Sequence, residues 1–247
     1  MLILWITLFS LLGSVGAIIT AAAFLLLQEK VQKILIPCLI SYATGTLLAA
    51  ALLGLIPHAL KYTSPLPISS TILIGIILFF LLEKLVIWRH CHDTNCPMHG
   101  AAGPMILIGD AVHNATDGIV IAASFLSSIP IGIAAGISII AHEIPQEVGD
   151  FAILLYDGYS KGKALSLNIL SSLSTIPAAI LAYYALETVH AAVPYVMALS
   201  AASFLYVALT DLYPELHRKV GLLYAIRQFL MMLVGVGTII VFLQFHL

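Results

Sequence analysis

Apolar runs of twenty or more residues follow one another along almost the whole chain, separated by short polar or proline-containing breaks. Wound as a helix, a run of about 20 residues reaches across a hydrocarbon layer about 30 Å thick. Backbone amides in lipid must be paired within the protein, so a spanning segment is a helix or a strand of a closed barrel. The period-two alternation of barrel strands is absent here. Asp, Glu, Lys and Arg together make up 9% of the residues, against about 25% in soluble domains. Hydrophobic residues, at 61%, exceed what a soluble core of this size needs. The chain therefore reads as an all-α, multi-pass protein of the cell membrane, with residues 1–247 forming a single transmembrane domain. Its first partner is the lipid bilayer.

The breaks predict eight helices, at about 3–27, 34–58, 67–88, 102–127, 131–155, 163–183, 192–213 and 222–245. The first run lacks the charged opening of a signal peptide and continues too long for one, so it reads as the first span. Basic residues test the count. Lys30, Lys33, Lys84, Arg89, Lys161, Lys163, Arg218, Lys219 and Arg227 lie in or beside loops 1–2, 3–4, 5–6 and 7–8, and only Lys61 falls in a loop of the other parity. Under the positive-inside rule this bias places both termini outside, with an even number of spans. No basic tract points to nucleic acid, and three cysteines make no disulfide framework. A faint echo links the second and seventh runs: Leu48, Ala51, Leu52, Leu55 and Pro57 recur as Leu205, Ala208, Leu209, Leu212 and Pro214.

Two polar clusters interrupt this apolar background. Asp110, His113, Asn114 and Asp117 lie in the fourth run, and His142, Glu143, Gln146, Glu147 and Asp150 in the fifth. Ionisable groups in hydrocarbon are costly and mark an ion or substrate path. The fourth helix enters from the inside and the fifth returns to it, so His113 and His142, each about eleven residues along, both fall near the bilayer middle. Helical spacing stacks His113 with Asp117, His142 with Gln146, and Glu143 with Glu147. Imidazole nitrogens together with carboxylate oxygens suit zinc, iron, manganese and related divalent ions. A bound cation would also relieve the repulsion among Asp117, Glu143 and Glu147. Pro145 withholds an amide from the carbonyl of Ala141, which leaves that oxygen for an ion, a water or a kink. Gly118 and Gly149 are expected to permit close backbone approach. Asp110, Asp150 and Asp211, nearer the inner ends, read either as exit-path residues or as packing partners. His58, at the outer end of the second run, reads as an ion-capture residue or as an ordinary interfacial histidine. The zincin pattern fails, because Gln146 stands where its second histidine is required.

The chain resembles the ZIP (Zrt/Irt-like) family of divalent-metal transporters, in its LIV-1-like branch. Residues 113–118 and 142–150 carry the resemblance, together with residues 203–216. The resemblance implies a binuclear centre in a transport path. One site would use His113, Asp117, His142 and the position of Gln146; its neighbour would use Asn114, Glu143 and again Gln146. Glu147 belongs to the branch's pattern and would tune or relay the ion. Relatives of this branch usually carry His at position 146, and Gln is the weaker ligand. Asn168 stands in helix 6, where some relatives contribute Glu. The resemblance also implies a homodimer, no catalytic cofactor, and no enzymatic activity.

A third cluster fills the longest internal break, where His90, Cys91, His92, Cys96 and His99 lie within residues 89–101. Tracts of this composition commonly bind metal, and the resemblance implies a cytosolic loop. The function expected is transport of Zn²⁺, or of a similar ion such as iron, manganese or cadmium, toward the cytosol. A membrane-embedded metal-dependent hydrolase and a metal-stabilised sensor or scaffold are the alternatives.

Overall fold

The structure, a computed structural model, describes residues 1–88, 102–218 and 221–244. The described residues are helical nearly throughout, in long segments labelled here in chain order. They are α1 (Leu2–Phe24), α2 (Glu29–Ala59), α3 (Pro65–Trp88), α4 (Ala102–Ser127), α5 (Ile129–Tyr156), α6 (Lys161–Thr188), α7 (His190–His217) and α8 (Leu222–Gln244). Among the described residues seven helices are long and apolar enough to cross a membrane, and α4 is not one of them. Its 26 residues would reach about 39 Å at 1.5 Å each. Length therefore does not exclude it; Asp110, His113, Asn114 and Asp117 lower its hydropathy.

Two groups of helices pack together. In one, α4 lies against α5 and α6, and α1 covers all three. In the other, α8 packs on α2 and α3 on α7. The groups meet where α2 touches α5 and where α7 touches α4. Small residues set the closest crossings, as is usual where lipid supplies no hydrophobic drive between helices. A Cβ on Gly45 would lie 3.0 Å from the backbone carbon of Met232, and one on Gly235 would lie 3.0 Å from the amide nitrogen of Thr46, so α2 and α8 touch backbone to backbone. In the least buried windows, those of α3 and α8, only 11% of residues are buried inside the protein. Their apolar side chains suit lipid, because an outward-facing apolar surface costs nothing there.

Three helices carry a widened π-helical turn, at Leu12–Gly16, Ala50–Leu55 and Ala208–Leu212. The second and third give the sequence echo a physical meaning. Each ends just before a proline, Pro57 or Pro214. A proline cannot donate to the preceding turn and clashes with its carbonyl, and a widened turn accommodates this without breaking the helix. Helix α6 has a different defect. Its helical hydrogen bonding lapses between Ser172 and Thr175, and Pro177 supplies no amide for the carbonyl of Leu173. By contrast, α5 runs through Pro145 unbroken.

Candidate metal centre

The turn between α4 and α5 is a single residue, Ser128, whose hydroxyl caps α5 by accepting from the amide of Ile131 at 3.4 Å. A turn this short makes the two helices arms of one hairpin, so residues equally far from Ser128 lie at the same depth. His113 and His142 stand 15 and 14 residues away, about 21–22 Å along each arm. Nothing longer-range is needed to bring them level.

They meet closely. His113 Nε2 and His142 Nε2 are 3.1 Å apart. Asp117 Oδ2 lies 3.2 Å from His142 Nε2 and 3.8 Å from His113 Nε2. Glu143 Oε1 lies 3.4 Å from His113 Nε2 and 3.8 Å from His142 Nε2. The ligand atoms of all four residues fall within 4.8 Å of one another. Nitrogen and oxygen ligands at 2.0–2.1 Å in a tetrahedron around zinc are about 3.3–3.4 Å apart, so these spacings suit one such ion. Neither oxygen of Asp117 or of Glu143 has a hydrogen-bond partner, although both residues are buried. Such groups are expensive to bury without compensation, and a cation between them would supply it. His142 Nδ1 is 2.9 Å from the carbonyl of Ser138. Donation there directs Nε2 toward the cluster, in the manner of the outer hydrogen bonds that orient metal-ligating histidines.

A second group lies one turn along. Asp110, Glu143 and Glu147 also present ligand oxygens within 4.8 Å of one another. Asp110 and Glu147 stand 18 and 19 residues from Ser128, so the same hairpin geometry levels them. Asn114 and Gln146 lie beside these groups and hydrogen-bond to Asp110. Asn114 Nδ2 donates to Asp110 Oδ1 at 2.8 Å, and its Oδ1 accepts from Thr175 Oγ1 at 2.8 Å and Ser172 Oγ at 3.4 Å. Gln146 Nε2 points to Asp110 Oδ1 at 3.5 Å. Gly118 meets the expectation of close approach, since a Cβ there would lie 2.9 Å from the amide nitrogen of Ala179 in α6. Gly149 does not, because nothing lies within 4 Å of where its Cβ would stand.

Access is one-sided. His142 is 1% exposed and faces the buried ring of Phe204 edge-on, with centroids 6.2 Å apart. The side chain of His113 is 20% exposed and lines two cavities. One, of about 420 Å³, is also lined by Asp110, Gln146, Asp150, Asp211 and Glu215. The other, of about 300 Å³, opens between α3, α4 and α7 past Glu83, Tyr206 and Asp211, and there the Tyr206 hydroxyl donates to Glu83. His58 stays apart from both metal-ligand groups, its ring 5.4 Å from that of Tyr62. Asn168 is buried on α6 with its Oδ1 unpartnered. His90, Cys91, His92, Cys96 and His99 lie outside the described residues. Reasoning from the sequence missed Ser172, Thr175 and Phe204. The run Ser171-Ser172-Leu173-Ser174-Thr175 in an apolar helix was a readable sign of interhelical hydrogen bonding; Phe204 gave no sign.

Residues 89–243 match the family model described as ZIP Zinc transporter. The zinc transporter ZIP13 of Pongo abelii is 31% identical over 222 residues, which cover 84% of this chain and 66% of that protein. Zinc transporter ZIP10 of Danio rerio is 33% identical over 149 residues, 58% of this chain and 18% of its own length. Zinc transporter ZIP4 of Homo sapiens is 40% identical over 112 residues, 45% of this chain and 17% of its own. The chain thus matches just under two thirds of the ZIP13 relative and less than a fifth of the other two.

Proposed function

The chain belongs to the ZIP zinc transporter family, in its LIV-1-like branch, and on that premise we propose that it carries Zn²⁺ or a similar divalent ion across a membrane toward the cytosol. The single observation that carries this reading is the buried cluster of His113, Asp117, His142 and Glu143, spaced for one tetrahedral ion, with His113 lining the cavities beside it. Iron, manganese and cadmium remain within the ligand chemistry of two imidazoles and two carboxylates. A family of transporters leaves the hydrolase reading without support.

In this reading α4 is the eighth span and both termini lie outside. The partition of basic residues supports that orientation. The cavity with Asp110, Asp150, Asp211 and Glu215 then opens toward the cytosol, and Phe204 closes the other side, so the described conformation is inward-open. An ion leaving the cluster meets a graded series of carboxylates, each able to take it and none able to hold it alone, as release demands. Movement of the α1/α4/α5/α6 group against the other helices would expose the cluster to the outside. His58 sits where an entering ion would pass. The 89–101 segment would receive the released ion through His90, Cys91, His92, Cys96 and His99. A homodimer is proposed from family membership, to be tested by cross-linking in membranes.

The deciding experiment is zinc entry into sealed proteoliposomes carrying an internal zinc-sensitive dye. Wild-type protein should give saturable flux, and His142→Ala or His113→Ala should lose most of it at equal reconstituted protein. Undiminished flux in both variants overturns the assignment of the cluster. Zinc binding without flux in wild-type protein would favour the sensor or scaffold reading.

A further inference from the structure

Helix α3 packs on α7 and only lightly on α4, so the bundle is open on its flank between α3 and α4. The cavity of about 300 Å³ found there is walled by Phe79, Glu83, Val112, Tyr206, Val207 and Asp211, with His113 at its back. Val112 is 47% exposed and Glu83 is exposed as well, so the mouth lies on the side that lipid surrounds. A concave, mostly apolar site of this size with a few convergent polar groups is the usual form of a small-molecule pocket.

Its fixed charges are negative. No lysine or arginine pairs with Glu83 or Asp211 among the described residues. Tyr206 donates to Glu83 and Thr210 donates to Asp211, so both carboxylates are held in place without being neutralised. Lys84, next to Glu83 in sequence, is engaged elsewhere, its ammonium 5.7 Å from the centroid of Phe80. The rings of Phe79 and Tyr206, with centroids 6.2 Å apart and planes tilted by 36°, add aromatic faces to the same wall. Such faces attract cations, and organic ammonium groups above all. An inorganic ion would leave the apolar walls unused, and a phospholipid would bring a phosphate that no cation here could meet. Glu83 stands five residues before the C-terminal end of α3, about 8 Å along the helix. At that depth an amphipathic cation dissolved in a bilayer can keep its charged end near water.

We propose that the α3/α4/α7 cavity binds an amphipathic organic ammonium entering from the membrane, its charge on Glu83 and the Phe79–Tyr206 wall and its apolar part on Val112 and Val207. An occupant there bridges the two groups of helices, because α4 belongs to one and α3 and α7 to the other. It also covers the face of His113 that lines the cavity. Both effects oppose relative movement of the groups, so the occupant inhibits flux. That inhibition rests on the transporter reading above; the binding does not.

The binding test uses the full chain in maltoside micelles, with hexyltrimethylammonium as probe, calorimetry as readout and protein-free micelles as blank. Wild-type protein should bind the probe saturably and at least about tenfold more tightly than hexanol, which lacks the charge, or tetramethylammonium, which lacks the tail. Glu83→Gln should weaken binding about tenfold and Tyr206→Leu about threefold or more, whereas Tyr206→Phe, which keeps the ring, should stay within about twofold of wild type. Wild-type affinity for the probe no higher than for hexanol or tetramethylammonium overturns the inference, as does an affinity unchanged in both Glu83→Gln and Tyr206→Leu. Should a variant fail to fold by circular dichroism, the comparison of the three compounds on wild-type protein decides. In the proteoliposome assay the probe should slow zinc entry through wild-type protein and spare Glu83→Gln. Undiminished wild-type entry at saturating probe overturns the inhibitory role. Wild-type protein that binds the probe yet carries no zinc overturns the transporter reading and leaves the site standing.

Discussion

Replacing Gly118 by alanine tests how tightly the centre depends on the α4–α6 crossing. The added Cβ would lie 2.9 Å from the amide nitrogen of Ala179 and 3.1 Å from the carbonyl carbon of Thr175, and closer still to the Thr175 oxygen. Comfortable separations between such atoms are about 3.5–4.0 Å, so α6 must withdraw by about 0.6 Å or more. All three obstacles are backbone, and no side-chain rotation can relieve them. Overpacking of this kind costs about 1–3 kcal/mol, which for a chain of this size lowers the melting temperature by about 2–12 °C. The same withdrawal stretches the 2.8 Å bond from Thr175 Oγ1 to Asn114 Oδ1, and through Asn114 it loosens Asp110. Thermal unfolding in micelles, followed by circular dichroism, is the assay, and Gly149→Ala is the control. Gly149 is exposed on α5 with open space around its Cβ position, so alanine there should be neutral or stabilising by up to about 1 kcal/mol of helix propensity. Equal melting temperatures for the two variants, or a Gly118→Ala protein as stable as wild type, would refute the backbone-contact argument.

Zinc at about 100 times its dissociation constant should stabilise the folded chain by about 2.7 kcal/mol, seen as a rise of about 5–11 °C in melting temperature. A chelator should reverse the rise, and His142→Ala should show none. Thr175→Val keeps the shape but deletes the hydroxyl that bonds Asn114. Interhelical hydrogen bonds in membranes average about 0.6 and reach about 1.7 kcal/mol, so unfolding titrations should report a loss in that range, and a loss of several kcal/mol would contradict it. Gln146→His adds an imidazole beside Asp110 and should raise the preference for zinc over manganese in competition flux by about tenfold, equivalent to about 1.4 kcal/mol; an unchanged ratio would show that position 146 does not reach the ion.

Helix and membrane were legible because both follow from local sums. A segment such as Leu66–Leu82 carries enough apolar surface to declare itself without knowledge of its neighbours. The pairing of His113 with His142 was nearly legible too, since a one-residue turn makes depth a matter of counting. Fine ligand assignment was not. Asn114 and Gln146 have the right chemistry for ligands, but here the oxygen of Asn114 accepts from Thr175 and Ser172, while Gln146 engages Asp110 through its nitrogen alone. Those partners lie up to 61 residues away in sequence, beyond any periodicity. Gly149 erred for the same reason: a glycine signals room for close approach, and only a neighbour's position says whether anything approaches.

From composition and spacing alone came an all-helical membrane protein, two polar helices and the residue types that invite a divalent ion, because hydropathy and helical period are properties of single segments. Tertiary structure alone decided which oxygens remain free. A buried carboxylate becomes a metal ligand, or a packing partner, according to whether another helix brings a donor within about 3 Å of it, and that depends on how α4, α5 and α6 cross. Asn114, itself held by Thr175 and Ser172 of α6, anchors one oxygen of Asp110, and Ser172 anchors one of Glu147, whereas Asp117 and Glu143 face only the two histidines.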